Sequence, residues 1–303
     1  LNRGLHVVAK TPAKLNLTLL VGPRRADGYH ELFTVFVPID VYDELSFRLS
    51  VDDGGLTVIC EGVEGEDNLV ERALRALAAE SGLPISGEVT VSKGIPVGAG
   101  LGGGSSDAAL ALRIGARLLA EHAGLETGPE KLRVLAARLG ADVPFFLGDG
   151  AAFARGIGDR LEPLMLPALP VVLIMPADRL STPSVYGAFD KLVSAETMEE
   201  FSSRAYACEL EWRLPTGRWN DKVVRLLRND LEQASFALLP RLADDKEALV
   251  EAGALGALMS GSGPTLFGVC RTAAAARATA RRLAARGYAA RAASTLPAPF
   301  LDV

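Results

Sequence analysis

Apolar and polar positions in the first half of the chain alternate in short runs broken by turn formers. Residues 7–9 and 15–21, on either side of Pro12, read as strands, as do 33–37 and 45–49. A further strand over 56–60 follows the Asp52-Asp-Gly-Gly55 turn. From 68 to 81 the apolar positions recur at helical spacing, and Gly82 and Pro84 stop the run. A strand over 89–91, helices over 106–123 and 129–139, and a short strand over 151–154 complete this half. Strands and helices do not alternate strictly, so the pattern predicts an α+β fold rather than repeated βαβ units.

The texture changes over residues 161–170, where Pro163, Pro167 and Pro170 punctuate the chain. The domain boundary is placed there, giving residues 1–162 and 163–303. Beyond it, 171–175 reads as a buried strand, 242–253 as a helix, 257–259 and 266–270 as strands, 272–286 as an Ala/Arg helix and 288–293 as a last strand. That is a second, smaller α+β sandwich. Residues 191–220 are polar and mixed, and no element is assigned to them.

The most informative stretch is Pro96, Val97, Gly98, Ala99, Gly100, Leu101, Gly102, Gly103, Gly104, Ser105 and Ser106, running into Asp107 and the apolar helix. Glycine lets a backbone turn with positive φ and approach a ligand closely. A helix start adds free N–H groups and the positive end of its dipole, which together suit phosphate. A Walker loop requires a lysine before the Ser/Thr, and none precedes Ser105. Gly98, Gly100 and Gly103 have the dinucleotide spacing, but Pro96 and further loop residues separate them from strand 89–91. Protein-kinase signatures such as His-Arg-Asp are absent. A flexible linker is disfavoured because linkers do not run straight into an apolar helix.

Four other segments carry candidate chemistry. In Pro12-Ala-Lys-Leu-Asn-Leu17, Lys14 and Asn16 share one strand face. The Asp27-Gly28 turn delivers Tyr29 and His30, one of three histidines. Asp142 lies between a helix end and a strand-like segment, before a proline that biases Val143 to extended geometry. A carboxylate there suits a base that takes a proton from an alcohol, and a nearby lysine would keep it ionised. Gly261, Ser262 and Gly263 form a second glycine turn between two strands, either a plain hairpin or a second backbone surface over phosphates.

Composition narrows the partners. The chain has 303 residues, is 49% hydrophobic and carries a net charge of −5, which argues against a general nucleic-acid or membrane-surface binder. Cys60, Cys208 and Cys270 have no metal-ligand spacing and suit a reducing compartment. No apolar run approaches the roughly 18 residues of a spanning helix, and no signal peptide is visible. A cytoplasmic protein acting on a small molecule is expected. The sequence does not give an oligomeric state.

Together the segments resemble the GHMP small-molecule kinase superfamily, named after galactokinase, homoserine kinase, mevalonate kinase and phosphomevalonate kinase. The resemblance rests on Pro12–Leu17, Arg25-Ala-Asp-Gly-Tyr-His-Glu-Leu32, Glu66-Asp-Asn-Leu69, Pro96 to Asp107, Gly140-Ala-Asp-Val-Pro144, Ser181-Thr-Pro183 and Ser260-Gly-Ser-Gly263. It implies a two-domain fold, with an N-terminal ribosomal-S5-like domain and a C-terminal ferredoxin-like α/β sandwich. It also implies ATP with Mg²⁺, and Lys14 with Asp142 as the catalytic pair. The loop from Pro96 to Ser106 would hold the ATP phosphates with help from Lys93, and Asn68 would lie near adenine. The Tyr29-His30 segment is similar to one member acting on a cytidyl diphosphate sugar alcohol of the non-mevalonate isoprenoid route. On that likeness Asn16, Tyr29, His30, Thr182, Pro183, Tyr186, Gly261, Ser262 and Gly263 would hold substrate, with Tyr29 and Tyr186 sandwiching cytosine. No acidic cluster fixes the Mg²⁺ ligands, and Ser106 is one candidate. The alternatives are a homoserine- or mevalonate-kinase-like enzyme, a nucleotide-binding protein without catalysis, and a dinucleotide oxidoreductase.

Overall fold

The computed structural model describes residues 4–60, 68–193, 196–214 and 218–296. Two long antiparallel strands, β1 (Leu5–Arg24) and β2 (His30–Ser50), form its spine. The two short runs expected around Pro12 are a single strand. Its register with β2 breaks between Pro12 and Ala13, between Asn16 and Thr18, and again before Arg24. Proline cannot donate to a ladder, and a bulge accommodates it without ending the strand.

Strand β3 (Leu56–Cys60) and helix α1 (Leu69–Ser81) follow, then β4 (Ser86–Ser92), α2 (Gly103–Ala123) and α3 (Pro129–Leu139). A 3₁₀ turn over Pro144–Leu147 leads to β5 (Ala152–Gly156) and β6 (Arg160–Pro163). β4 pairs with the later half of β2 and β5 with its earlier half, while β3 runs parallel to β4. Helices α1 to α3 cover one face through Leu74, Leu77, Leu110, Leu118 and Leu135, packed on Leu45 and Phe47. Gly115 lets α1 and α2 close together: a Cβ there would lie 2.7 Å from Leu77 Cδ2.

The second half opens with β7 (Pro170–Ile174). It continues through α4 (Thr182–Leu192), α5 (Met198–Arg213), α6 (Trp219–Leu226), β8 (Arg228–Asn229), α7 (Glu232–Leu238) and α8 (Arg241–Glu251). It ends with β9 (Gly256–Met259), β10 (Leu266–Val269), α9 (Ala273–Ala285) and β11 (Ala290–Ser294). The four longer strands form an antiparallel sheet in the order β11-β7-β10-β9, the ferredoxin-like arrangement with α8 and α9 packed in its core.

Residues 191–220, unassigned from sequence, hold all of α5 and the start of α6. Thr197 and Glu200 form a capping box at the start of α5. The helix buries Phe201, Ala205, Cys208 and Trp212 yet exposes Met198, Tyr206 and Leu210, so apolar residues on both sides blur its period. Trp212 Nε1 donates to Thr18 Oγ1 at 3.0 Å, and Thr18 Oγ1 donates to the Leu226 carbonyl at 2.9 Å. β8 adds to the first sheet beside Thr18 and Leu19. The sheets change over between β6 and β7, but the cores do not separate there: Leu15 and Phe33 share one cluster with Val171 and Phe267.

Among the described residues no helix is long and apolar enough to cross a membrane. The three cysteines are free and buried. The Glu66-Asp67 part of one motif lies outside the described residues, as does the end of the C-terminal tail.

Candidate active site

The glycine loop lines a cavity of about 350 Å³ together with Cys60, Asn68, Leu69, Val70, Val91, Lys93, Ser105 and Asp107. Helix α2 starts at Gly103, three residues earlier than the expected 106, because Gly102 takes the N-cap position with φ 72°. No side chain caps this helix start. Its leading N–H groups are therefore available to an anion, and the dipole favours negative charge there. Asn68 caps α1, accepting from Val70 N at 2.9 Å, on the cavity wall. Ser106 is not in that lining. It is fully buried, and its hydroxyl donates to the Pro12 carbonyl at 2.7 Å and meets Thr11 Oγ1, tying α2 to β1.

Lys93 pairs with two carboxylates, Asp43 and, at 3.0 Å, Asp107. Burial works against its charge, but Asp107 and Asp43 outweigh it and hold the Lys93 pKa above its ordinary value. Burial pushes Asp107 up to about 7, against the pull of Lys93 and helped by the charge of Asp43. Asp107 Oδ1 is buried without a hydrogen-bond partner. Asp43 was missed from sequence. It is fully buried and also accepts from Gly94 N at 2.7 Å and Ile95 N at 2.8 Å, so it fixes the strand-to-loop junction. The signal was present: Asp43 shares the inward parity of Val41, Leu45 and Phe47.

A second cavity of about 160 Å³ adjoins the loop at Gly100 and Gly102. Lys14, Asn16, Thr34, Asp142, Thr182, Tyr186, Gly261 and Ser262 line it. Lys14 Nζ lies 3.4 Å from Asp142 Oδ2 and donates to Asn16 Oδ1 at 2.8 Å. The lysine side chain is 5% exposed and the aspartate 32%, so the carboxylate remains open to a ligand. The segment after Asp142 corrects one expectation. Val143 is right-handed helical (φ −62°, ψ −42°), not extended. Burial of Val143, Phe145 and Phe146 in the core offsets the steric cost of a helical residue before proline.

The second glycine turn is both a hairpin and a site wall. β9 and β10 pair across it, and Gly261 stands so close that a Cβ would lie 3.4 Å from both Lys14 Nζ and Asn16 Oδ1. Asn229, also missed, donates from Nδ2 to the Met259 and Gly261 carbonyls at 2.8 Å each. Ser262 Oγ and Thr182 Oγ1 are 2.9 Å apart, joining this turn to α4. Pro183 sits at the first turn of α4, outside the cavity lining, as does Gly263. Arg179, missed as well, brings its Cδ within 3.8 Å of a Cβ built on Gly98.

At the far end His30 is buried and its ring lies 5.3 Å from that of Tyr186. Its nitrogens face two acceptors, the Gly22 carbonyl at 2.9 Å and Asp190 Oδ1 at 3.1 Å. Burial, then the Asp142 charge, pushes the Tyr186 phenol above its ordinary range. Tyr29 is 59% exposed on the turn between β1 and β2 and stands outside the cavity lining.

Residues 68–150 match the family described as GHMP kinases N terminal domain, and 217–289 match GHMP kinases C terminal. A 4-diphosphocytidyl-2-C-methyl-D-erythritol kinase from Pelotomaculum thermopropionicum is 41% identical over 91% of this chain and 93% of its own. A crystal structure of 4-(cytidine 5'-diphospho)-2C-methyl-D-erythritol kinase superposes with TM-score 0.73 at 37% identity, covering 95% and 99% of the two chains. A homoserine kinase from Cytophaga hutchinsonii reaches TM-score 0.69 over 97% and 95%, but at 20% identity that likeness shows the fold alone. Two cavities joined at one glycine loop, a buried lysine beside an open carboxylate and these matches all point the same way: the chain belongs to the GHMP kinases and, among them, to the 4-diphosphocytidyl-2-C-methyl-D-erythritol kinase family.

Proposed function

We propose that the protein transfers the γ-phosphoryl of ATP to the 2-hydroxyl of 4-diphosphocytidyl-2-C-methyl-D-erythritol. Membership of the family supports the reaction. The observation that carries the residue assignment is the 3.4 Å Lys14–Asp142 pair in a cavity adjoining the glycine loop. ATP phosphates occupy the loop cavity over the uncapped start of α2, with Asn68 towards adenine and Lys93 near the phosphates. Asp142 takes the hydroxyl proton and the freed oxygen bonds to the γ-phosphorus. The bond to the β–γ bridging oxygen breaks and ADP leaves. Lys14 pairs with the carboxylate and offsets charge on the transferring group. Phosphoryl transfer is mostly positioning and charge stabilisation, which this arrangement supplies.

Among the described residues no group of three or more His, Cys, Asp or Glu side chains forms a metal cage. Mg²⁺ is usually held by one or two carboxylates plus the phosphates of its nucleotide. Asp107 lines the loop cavity and its Oδ1 has no hydrogen-bond partner, so it fits that role better than the Ser106 hydroxyl, which β1 already engages. The ion would neutralise phosphate charge.

Asn16, Thr182, Gly261 and Ser262 hold the reacting end of the substrate, and Tyr186 supports the cytosine, with Tyr29 closing from the turn. The buried thiols and acidic charge suit a cytoplasmic enzyme. The test is Mg·ATP consumption with the cytidyl substrate, homoserine and mevalonate in parallel. Turnover with the first alone is the expected result, and phosphorylation of another alcohol in its place rejects the reading.

A further inference from the structure

We propose that Thr34 is a positioning residue for the Lys14 ammonium, acting through the orientation of the Asn16 amide. Thr34 Oγ1 donates to the Thr18 carbonyl at 2.6 Å. A hydroxyl has one proton and a carbonyl only accepts, so that proton is committed. The hydroxyl can then only accept on its other side, where Asn16 Nδ2 donates to it at 2.8 Å. The amide oxygen is thereby turned to Lys14 Nζ, a group that only donates, at 2.8 Å.

The reverse orientation fails at both ends. It would set the Asn16 NH₂ against the ammonium, and the amide oxygen against a hydroxyl with no proton to give. Thr34, Asn16 and Lys14 are 0%, 2% and 4% exposed, so water cannot repair either mismatch. Chain geometry explains why a threonine from β2 can do this. The register break between Asn16 and Thr18 sets Thr34 opposite Leu19, and its hydroxyl bridges Thr18 and Asn16. The result is a one-way relay that aims the ammonium at the cavity holding Asp142.

The inference rests on the reading of Lys14 and Asp142 as the catalytic pair, and its test separates the two. Thr34→Val keeps shape and β-branching but removes the hydroxyl, while Thr34→Ser keeps the hydroxyl. Thr34→Val should lower kcat roughly tenfold to a hundredfold, the worth of one misplaced buried hydrogen bond, and change KM for ATP by about twofold or less. Thr34→Ser should recover most of the lost kcat. In an Asn16→Ala background, Thr34→Val should cause no further loss, because the relay is already cut. Thr34→Ala is read in the same way if the valine variant does not fold.

A normal kcat in Thr34→Val with Lys14→Met inactive overturns the relay and leaves the catalytic pair standing. An additive loss in the Asn16→Ala background, or a rise in KM without a fall in kcat, also overturns it. Full kcat in Lys14→Met removes the catalytic pair, and the relay with it.

Discussion

Gly100 and Ser260, 160 residues apart in sequence, are in backbone contact: a Cβ built on Gly100 would lie 2.6 Å from the Ser260 carbonyl oxygen and 2.8 Å from that of Gly263. Ser260 Oγ donates to the Gly100 carbonyl at 3.3 Å, and Thr265 N donates to the Ala99 carbonyl at 3.3 Å. The two glycine turns therefore meet at Gly100, which lines both the loop cavity and the cavity that holds Lys14.

That contact sets the first expectation. Gly100 has φ 74°, so any side chain there is strained as well as crowded. Gly100→Ala should destabilise the protein by roughly 1–3 kcal/mol and raise KM for ATP. Gly187, exposed in α4 with nothing within 4 Å of its would-be Cβ, is the control. Gly187→Ala should stabilise by about 0.5–1 kcal/mol, since glycine costs that much inside a helix. Urea unfolding of both variants measures the difference; an unperturbed midpoint for Gly100→Ala would mean that the turns move apart freely.

The proposed catalytic pair, Lys14 and Asp142, gives the second. An amide keeps the shape of a carboxylate but cannot take a proton, so Asp142→Asn should lower kcat by about 10²–10⁴-fold with smaller changes in either KM. Lys14→Met should lower kcat through lost charge stabilisation. Steady-state kinetics on folded protein decide the matter, and a near-normal kcat for Asp142→Asn would end its assignment as the base.

Neighbouring glycines should behave differently from one another. A Cβ on Gly103 would meet Ile95 Cγ2 at 2.9 Å and Asp43 Oδ2 at 3.2 Å, both beneath the loop. Gly103→Val should therefore raise KM for ATP and leave the cytidyl substrate nearly untouched. A Cβ on Gly102 would lie 3.0 Å from Lys14 Cγ, at φ 72°. Gly102→Val should also reduce kcat, because it pushes on the lysine. Equal kinetic profiles for the two variants would contradict this division.

These contrasts also show what was legible in the sequence. The glycine loop, Lys14, Asn16 and Asp142 were readable because each is a local pattern: a run, a strand parity, an acid before a proline. Asp43 was readable in principle, as a carboxylate on the inward parity of β2, but one charge among apolar neighbours passes for an irregular edge. Asn229 and Thr34 were not readable. Their roles come from a two-residue strand beside β1 and from a register break, and both are properties of pairing rather than of local sequence. Helix α5 was hidden by its exposed Tyr206 and Leu210. Val143 went the wrong way because a steric bias before proline yielded to burial of Val143, Phe145 and Phe146.

Base selection is the last expectation, and the geometry of His30 reshapes it. Its ring nitrogens already face the Gly22 carbonyl and Asp190, and its ring lies against Tyr186 and, edge-on at 6.0 Å, Phe189. His30 thus holds α4, and with it Tyr186 and Thr182, against the end of β1. Tyr186→Ala removes a stacking surface worth roughly 1–3 kcal/mol by analogy with base–aromatic contacts, and should raise KM for the cytidyl substrate accordingly. Tyr29→Ala should do the same if the exposed ring swings onto the other face of the base. His30→Ala should raise that KM too, and should also lower stability, because it leaves the buried Gly22 carbonyl without its ring partner. KM for ATP should stay nearly unchanged in all three. CMP, which carries the base but no reacting alcohol, should compete with the cytidyl substrate and not with ATP. A pair of inhibition plots with CMP makes the measurement; competition against ATP alone would place the cytidine in the loop cavity and reverse the two ends of the cleft.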